Sequence, residues 1–132
     1  MIRNKLLLFS FAFLLSYISL SQDTTKYAII TFDRTEIDTG EVKEGPNLSF
    51  TYYFTNTGNA DLIIIELRGG NGHMSPTWPN NPIAPGRSGK ITITLGTVGR
   101  LGVFTKGMSV RSNAKNNPDL WLGLKGFIKM KE

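Results

Sequence analysis

From residue 22 onward the chain has no helix-period stretch of useful length. Its hydrophobic positions fall in short β-branched and aromatic runs separated by Gly, Pro, Asn and Asp, the pattern of strands and turns. Leu48 to Asn56 alternates cleanly, with Leu48, Phe50, Tyr52 and Phe54 on one face and Ser49, Thr51, Tyr53 and Thr55 on the other. That two-residue period predicts a half-buried strand. Lys90 to Leu95 sets Ile91, Ile93 and Leu95 against Thr92 and Thr94, and Val103 to Ser112 puts Phe104, Met108 and Val110 on one side. Leu120 to Ile128 groups Leu120, Leu122, Leu124 and Ile128, with Trp121 and Phe127 opposite. Ala28 to Phe32 is a further run, and Glu36 to Asp38 leaves room for a short strand. Asp61 to Leu67 contains three consecutive isoleucines, which predicts a strand covered on both faces for part of its length. Six or seven short strands in this span predict an all-β, immunoglobulin-like β-sandwich of about seven short strands.

The punctuation agrees. Asn56-Thr57-Gly58-Asn59 is expected to supply the positive φ angles of a tight connection. Pro85-Gly86 stands where a type II turn places Pro and Gly. Lys125, Lys129 and Lys131 read as charges that keep an edge strand from pairing with other chains.

The first residues belong to a different pattern. Arg3 and Lys5 precede an almost wholly apolar or small run from Leu6 to Leu20, and Ser19-Leu20-Ser21 closes it. Charged, apolar and small segments in that order predict a secretory signal at residues 1–21, cleaved before Gln22. The alternative is an uncleaved anchor, but the apolar run is roughly 15 residues where a spanning helix wants about 20. Residues 22–27 then read as a flexible leader and 28–132 as one domain. No membrane span is expected after cleavage, and the location is periplasmic or extracellular. The chain has no cysteine, so the domain cannot use disulfides, and thiol chemistry and cysteine-built metal sites are excluded. The formal charge is +5 over the full chain, with Lys and Arg scattered from Lys26 to Lys131. A nucleic-acid partner would need a basic stripe or patch, and none is expected.

A family resemblance enters with Asn56-Thr57-Gly58, then Pro76, Trp78-Pro79, Pro82-Ile83-Ala84-Pro85-Gly86 and Gly89. With Gly102, Phe104, Lys106, Val110, Ser112-Asn113 and Lys125-Gly126, these resemble the bacterial exported domains catalogued as domain of unknown function 1573. The similarity covers about residues 30 to 129, and Pro76 to Gly89 is its most specific part. It implies an immunoglobulin-like sandwich, usually exported, with no established biochemical role. Family members commonly carry a Cys-Gly-Cys element just before the Pro-x-Trp-Pro segment, where this chain reads Asn71-Gly72-His73. The fold inference carries over; the thiol chemistry does not.

Few residues can carry chemistry. His73, the sole histidine, adjoins Met74, and imidazole with thioether suits copper. One histidine is a thin basis for a stable site, although Met108 and Met130 could add ligands; the default is an exposed loop histidine, with no metal and no cofactor. Asp33, Glu36, Asp38, Glu41 and Glu44 read as solvated turn residues, with calcium binding as the lesser reading. Gly86-Arg87-Ser88-Gly89-Lys90 lacks the first glycine and the Ser/Thr of a phosphate loop and leads into a strand; it is a turn. Nucleophilic catalysis needs a base within reach of the nucleophile, and no such arrangement is legible, so no enzyme is expected.

Binding is the remaining class. Trp78 lies in the long segment Gly69 to Pro85, and long loops on a rigid scaffold are where binding concentrates. It is expected either to anchor a partner or to fold back as a cap on the core. Trp121 and Phe127 share one face of the last strand, as outer-face aromatics or as the second side of a doubly covered strand. The expected function is a non-enzymatic exported module that binds another envelope or extracellular protein. Trp78, His73, Met74 and Trp121 are its candidate contact residues, and a partner strand along a sandwich edge is a second route. The alternatives are copper binding through His73 and Met74, and glycan or small-molecule binding through exposed aromatics. Oligomeric state is left open.

Overall fold

A computed structural model describes residues 25–70 and 72–132. The expected signal segment lies outside the described residues. Eight strands follow in chain order: β1 (Ile30–Phe32), β2 (Glu36–Lys43), β3 (Leu48–Asn56), β4 (Ile64–Arg68), β5 (Met74–Thr77), β6 (Ser88–Leu95), β7 (Gly102–Ser112) and β8 (Asp119–Lys129). They form two four-stranded sheets, ordered β1-β3-β6-β5 and β2-β8-β7-β4. All pairings are antiparallel except β2 with β8. The immunoglobulin-like sandwich is therefore present, and Tyr27, just before β1, is tied in by Asn59, whose Oδ1 accepts its N–H at 2.8 Å.

Alternation builds the core. Phe50, Tyr52 and Phe54 of β3 and Ile91, Ile93 and Leu95 of β6 face Phe104, Met108 and Val110 of β7 and Leu122, Leu124 and Ile128 of β8. Phe50 and Phe104 meet edge to face across the sheets at 6.5 Å. The Tyr52 hydroxyl donates to the Gly123 carbonyl at 2.6 Å, a polar tie between the layers. Burial pushes this phenol up to about 12; Arg34 lowers it somewhat and Glu36 raises it.

Several expectations are corrected. β5 lies inside the segment read as one long loop: its four residues include Pro76, which an edge strand tolerates and a central strand does not. The short strand allowed for at Glu36 to Asp38 is present and runs on to Lys43, so Glu36, Asp38 and Glu41 lie in a strand and not in a turn; its register shifts between Asp38 and Glu41 around Gly40, at φ 65°. Of the three isoleucines only Ile64 is buried: alternation turns Ile63 and Ile65 to the open outer face, and the β4–β7 register shift between Ile64 and Glu66 lets Leu67 return to the core. Lys125 and Lys129 sit on the central strand β8, not on an edge, and face Glu36 and Glu41 across the β2 pairing at 3.8 and 3.9 Å. Exposed pairs of this kind contribute little.

The Asn56 turn also departs from expectation. Among the described residues no non-glycine has positive φ, and Gly58 is absent from the positive-φ glycines as well. Gly58 is required by close approach: a Cβ there would run into the backbone of Tyr27, Ala28 and Ile29. Pro85-Gly86 behaves as predicted, with Gly86 at φ 81° and Arg87 N–H donating to the Ala84 carbonyl at 3.0 Å.

Asparagine amides do work that strands leave undone, since each carries the donor and acceptor of a peptide group. Asn56 is fully buried. Its Nδ2 donates to the carbonyls of Ala60 at 2.8 Å and Ile83 at 2.9 Å, and its Oδ1 accepts from Gly58 N–H at 3.0 Å. Asn116 accepts from and donates to the backbone of Ile30 at 3.0 and 2.8 Å, covering part of the β1 edge that would otherwise invite pairing.

Candidate functional site

The two outer faces of the sandwich differ sharply. On the β1-β3-β6-β5 sheet the outward positions are mostly hydroxyls, paired across strands: Ser49 with Thr94 at 3.3 Å, Thr51 with Thr92 at 3.4 Å and Thr55 with Ser88 at 2.8 Å. Tyr53 is its one large exposed aromatic. This is a solvated face.

The β2-β8-β7-β4 sheet turns Trp121, Phe127 and Val103 outward, with Trp121 58% and Val103 80% exposed. Phe127 lies opposite Val103 in the β7–β8 register, above a shallow cleft of about 350 Å³ bordered by Asp38, Glu41, Thr105 and Lys125. Trp121 is thus an outer-face aromatic.

Its posture is set by glycines. Gly107 of β7 and Gly123 of β8 are direct partners, and a Cβ at Gly107 would run into Cζ2 and Cε2 of the indole. A Cβ at Gly123 would lie 3.6 Å from Nε1, and one at Gly69 4.0 Å from Cζ3. The indole therefore packs closely over the Gly107 backbone, with Gly123 and Gly69 leaving room beside its two ends, and more than half of the side chain stays open to solvent. Ser109 pairs with Trp121 and with Arg68, so the row across the sheet reads Arg68, Ser109, Trp121. Glu66 pairs with Arg68 at 2.6 Å and with Arg111 at 3.7 Å beside it.

The other candidates are placed differently. Trp78 is half-buried and packs against the core, with hollows on either side lined by Pro76 and Asn80 and by Pro79 and Lys90. Its segment is further pinned by the Leu62–Ile83 bridge, whose two backbone hydrogen bonds measure 2.9 and 2.8 Å. Met74 is buried in the core while His73 is exposed, so the thioether is used in packing. Met108 is likewise buried, and Met130 is exposed at the chain end. Among the described residues no group of three or more His, Cys, Asp or Glu could hold a metal, and no helix is long and apolar enough to cross a membrane.

Three features escaped the sequence reading: the Asn56 hub, the glycine bed under Trp121, and a cleft beside His73. A mid-strand glycine is a recognised sign of close approach, and Gly107 and Gly123 each gave that sign.

The model of a family described as a protein of unknown function (DUF1573) matches residues 30–128. No curated protein matches the sequence. Among solved structures, a protein of unknown function from Porphyromonas gingivalis W83 superposes with a TM-score of 0.68 at 15% identity, covering 81% of this chain and 50% of that one. The chain thus spans half the length of that protein. The ASH/PapD-like domain 7 of human CEP192 gives a TM-score of 0.59 at 15% identity, over 86% of this chain and 95% of that domain. The periplasmic chaperone SfaE gives 0.52 at 11% identity, over 78% and 58%. At these identities the likeness is one of fold.

Proposed function

The chain belongs to the DUF1573 family of proteins of unknown function, and from that premise we propose that it is a non-catalytic exported module that binds another envelope or extracellular protein. The observation that supports this most is the unequal pair of outer faces. One is a ladder of hydroxyls; the other carries Trp121 flat and open, with Phe127 and Val103 farther along the same strands. A large aromatic already immobilised by its support loses little side-chain freedom on binding, and tryptophan is over-represented among residues that dominate interfaces. The contact residue is accordingly Trp121 and not Trp78, which is partly spent on the core. Export rests on the order of residues 1–21 and agrees with the fold likeness to a periplasmic chaperone.

A glycan is the second reading, favoured by the single flat ring with one open face. Cross-linking the tagged protein in its native cells, followed by mass spectrometry, separates the two. A dominant protein captured by wild type, lost with Trp121→Ala and kept with Trp78→Ala, is the expected result. Capture unchanged by Trp121→Ala would remove this face from the function. No capture above background, with tryptophan fluorescence responding to envelope glycans, would favour the second reading.

A further inference from the structure

We infer that the end of the sandwich where β4 turns into β5 and β6 leaves for β7 binds an oxyanion group, a carboxylate or a phosphoryl. A cleft of about 310 Å³ opens there, and Asn47, His73, Ser75, Thr94, Gly96 and Arg100 are among the residues that line it. Its walls come from three separate segments, held together by backbone and threonine bonds. Gly96 N–H donates to the His73 carbonyl at 2.9 Å. The fully buried Thr97 donates its hydroxyl to the Pro46 carbonyl and accepts from Gly45 N–H, both at 2.9 Å.

Charge then selects the ligand. No carboxylate lines the cleft, and the adjoining one shares Arg100 and adds Lys106, again without a carboxylate. Glu44 approaches this end, but its Oε2 accepts from Gly99 N–H at 2.7 Å and it borders neither cleft. The imidazole of His73 is held below its ordinary value by desolvation first and then by the Arg100 and Lys106 charges. The local potential is therefore positive, which disfavours a copper ion at His73 and favours an anion. A guanidinium offers two parallel N–H groups to a carboxylate or phosphoryl, and the Ser75 and Thr94 hydroxyls and the Asn47 amide add donors.

None of the cleft residues belongs to the Trp121 row, so this inference and the protein-binding reading can fail separately. The test is a ¹⁵N-resolved NMR titration of the purified protein with sodium phosphate, sodium acetate and, at matched ionic strength, sodium chloride. Saturable shifts at Gly72, Ser75, Gly96 and Arg100 with phosphate or acetate, and not with chloride, are expected. Phosphate alone would identify a phosphoryl ligand, acetate alone a carboxylate. Arg100→Ala should weaken binding by about 10- to 100-fold, the value of one charge-assisted hydrogen bond. Thr94→Val, which leaves the charge intact, should weaken it less. Equal shifts with chloride, or binding undiminished in a folded Arg100→Ala variant, would overturn the assignment.

Discussion

Replacing Asn56 tests whether one buried amide organises the connection between the two sheets. Asn56→Ala removes both donors and the acceptor that Gly58 N–H uses. The losses are unequal. Ile83 keeps the Leu62 N–H at 2.9 Å, so its carbonyl loses one bond of two, whereas Ala60 loses the Asn56 Nδ2 bond at 2.8 Å. A buried polar group left unpaired costs about 1–3 kcal/mol and a lost hydrogen bond about 1 kcal/mol. The expected destabilisation is about 2–4 kcal/mol, with some further loss from the cavity left behind. Against a total stability of about 5–15 kcal/mol this is large, and for a domain of this size it lowers Tm by roughly 10–20 °C.

Asn56→Asp sharpens the test, because the shape is unchanged and only the donors go. A carboxylate oxygen would then face two carbonyls in a site excluded from water. This variant should be less stable than Asn56→Ala near neutral pH. Protonation restores one donor, so the folded state raises the carboxyl pKa above its unfolded value. Stability from that proton is fully present below the unfolded pKa and is lost as pH rises through the folded one. Relative to wild type, the deficit should therefore shrink on going from about pH 7 to about pH 4. Urea unfolding followed by tryptophan fluorescence measures both variants. A cost below about 1 kcal/mol for Asn56→Ala, the range of an ordinary surface change, would refute the hub. So would an Asp variant no worse than Ala at pH 7.

Two further predictions concern the sheets themselves. Tyr52 holds its proton up to about 12 when folded against about 10 unfolded, so its contribution is intact below pH 10 and is lost as pH climbs toward 12. Tyr52→Phe should cost about 1–2 kcal/mol at neutral pH and flatten the stability curve in that alkaline window; an unchanged alkaline slope in urea melts would show the phenol is not the cause. Gly107→Ala should lift the Trp121 indole from its bed, shift its emission and cost about 1–3 kcal/mol by overpacking. Part of that cost should vanish in the double variant with Trp121→Ala, and strictly additive losses in the double-mutant cycle would mean the ring does not rest there.

How far the sequence was readable follows from where each signal resides. β3, β6, β7 and β8 are legible because their inward residues alternate over many positions. Trp121 and Phe127 fell on the outer face for the same reason. β2 was read as three residues because Asp38, Gly40 and Glu41 look like a turn. In the fold its bulge lets that segment keep pairing with β8, and Lys125 and Lys129 offset its acidic groups. The isoleucine run misled because the outer face of β4 is left uncovered, so alternation buries Ile64 and exposes Ile63 and Ile65. Asn56 was taken for a turn residue, although its work is long-range: its Oδ1 also accepts from Ile29 N–H at 3.4 Å and its Nδ2 donates to the Ile83 carbonyl, partners fixed only when the segments meet.

The site was obscured for one traceable reason. β5 is short and contains Pro76, so its strand character is invisible in propensity. Yet its pairing with β6 sets Met74 opposite Leu95 and Ser75 opposite Thr94, and thereby brings His73 against Gly96 and the turn that carries Arg100. Read as a loop, His73 beside Met74 suggested a copper ligand with a neighbouring thioether. Read as the entry to a strand, the same dipeptide must alternate: Met74 goes into the core, and His73 remains at the cleft among cations. One misassigned edge strand thus hid the cleft, and the copper ligand weighed beside the default of an exposed histidine gives way to the oxyanion we propose.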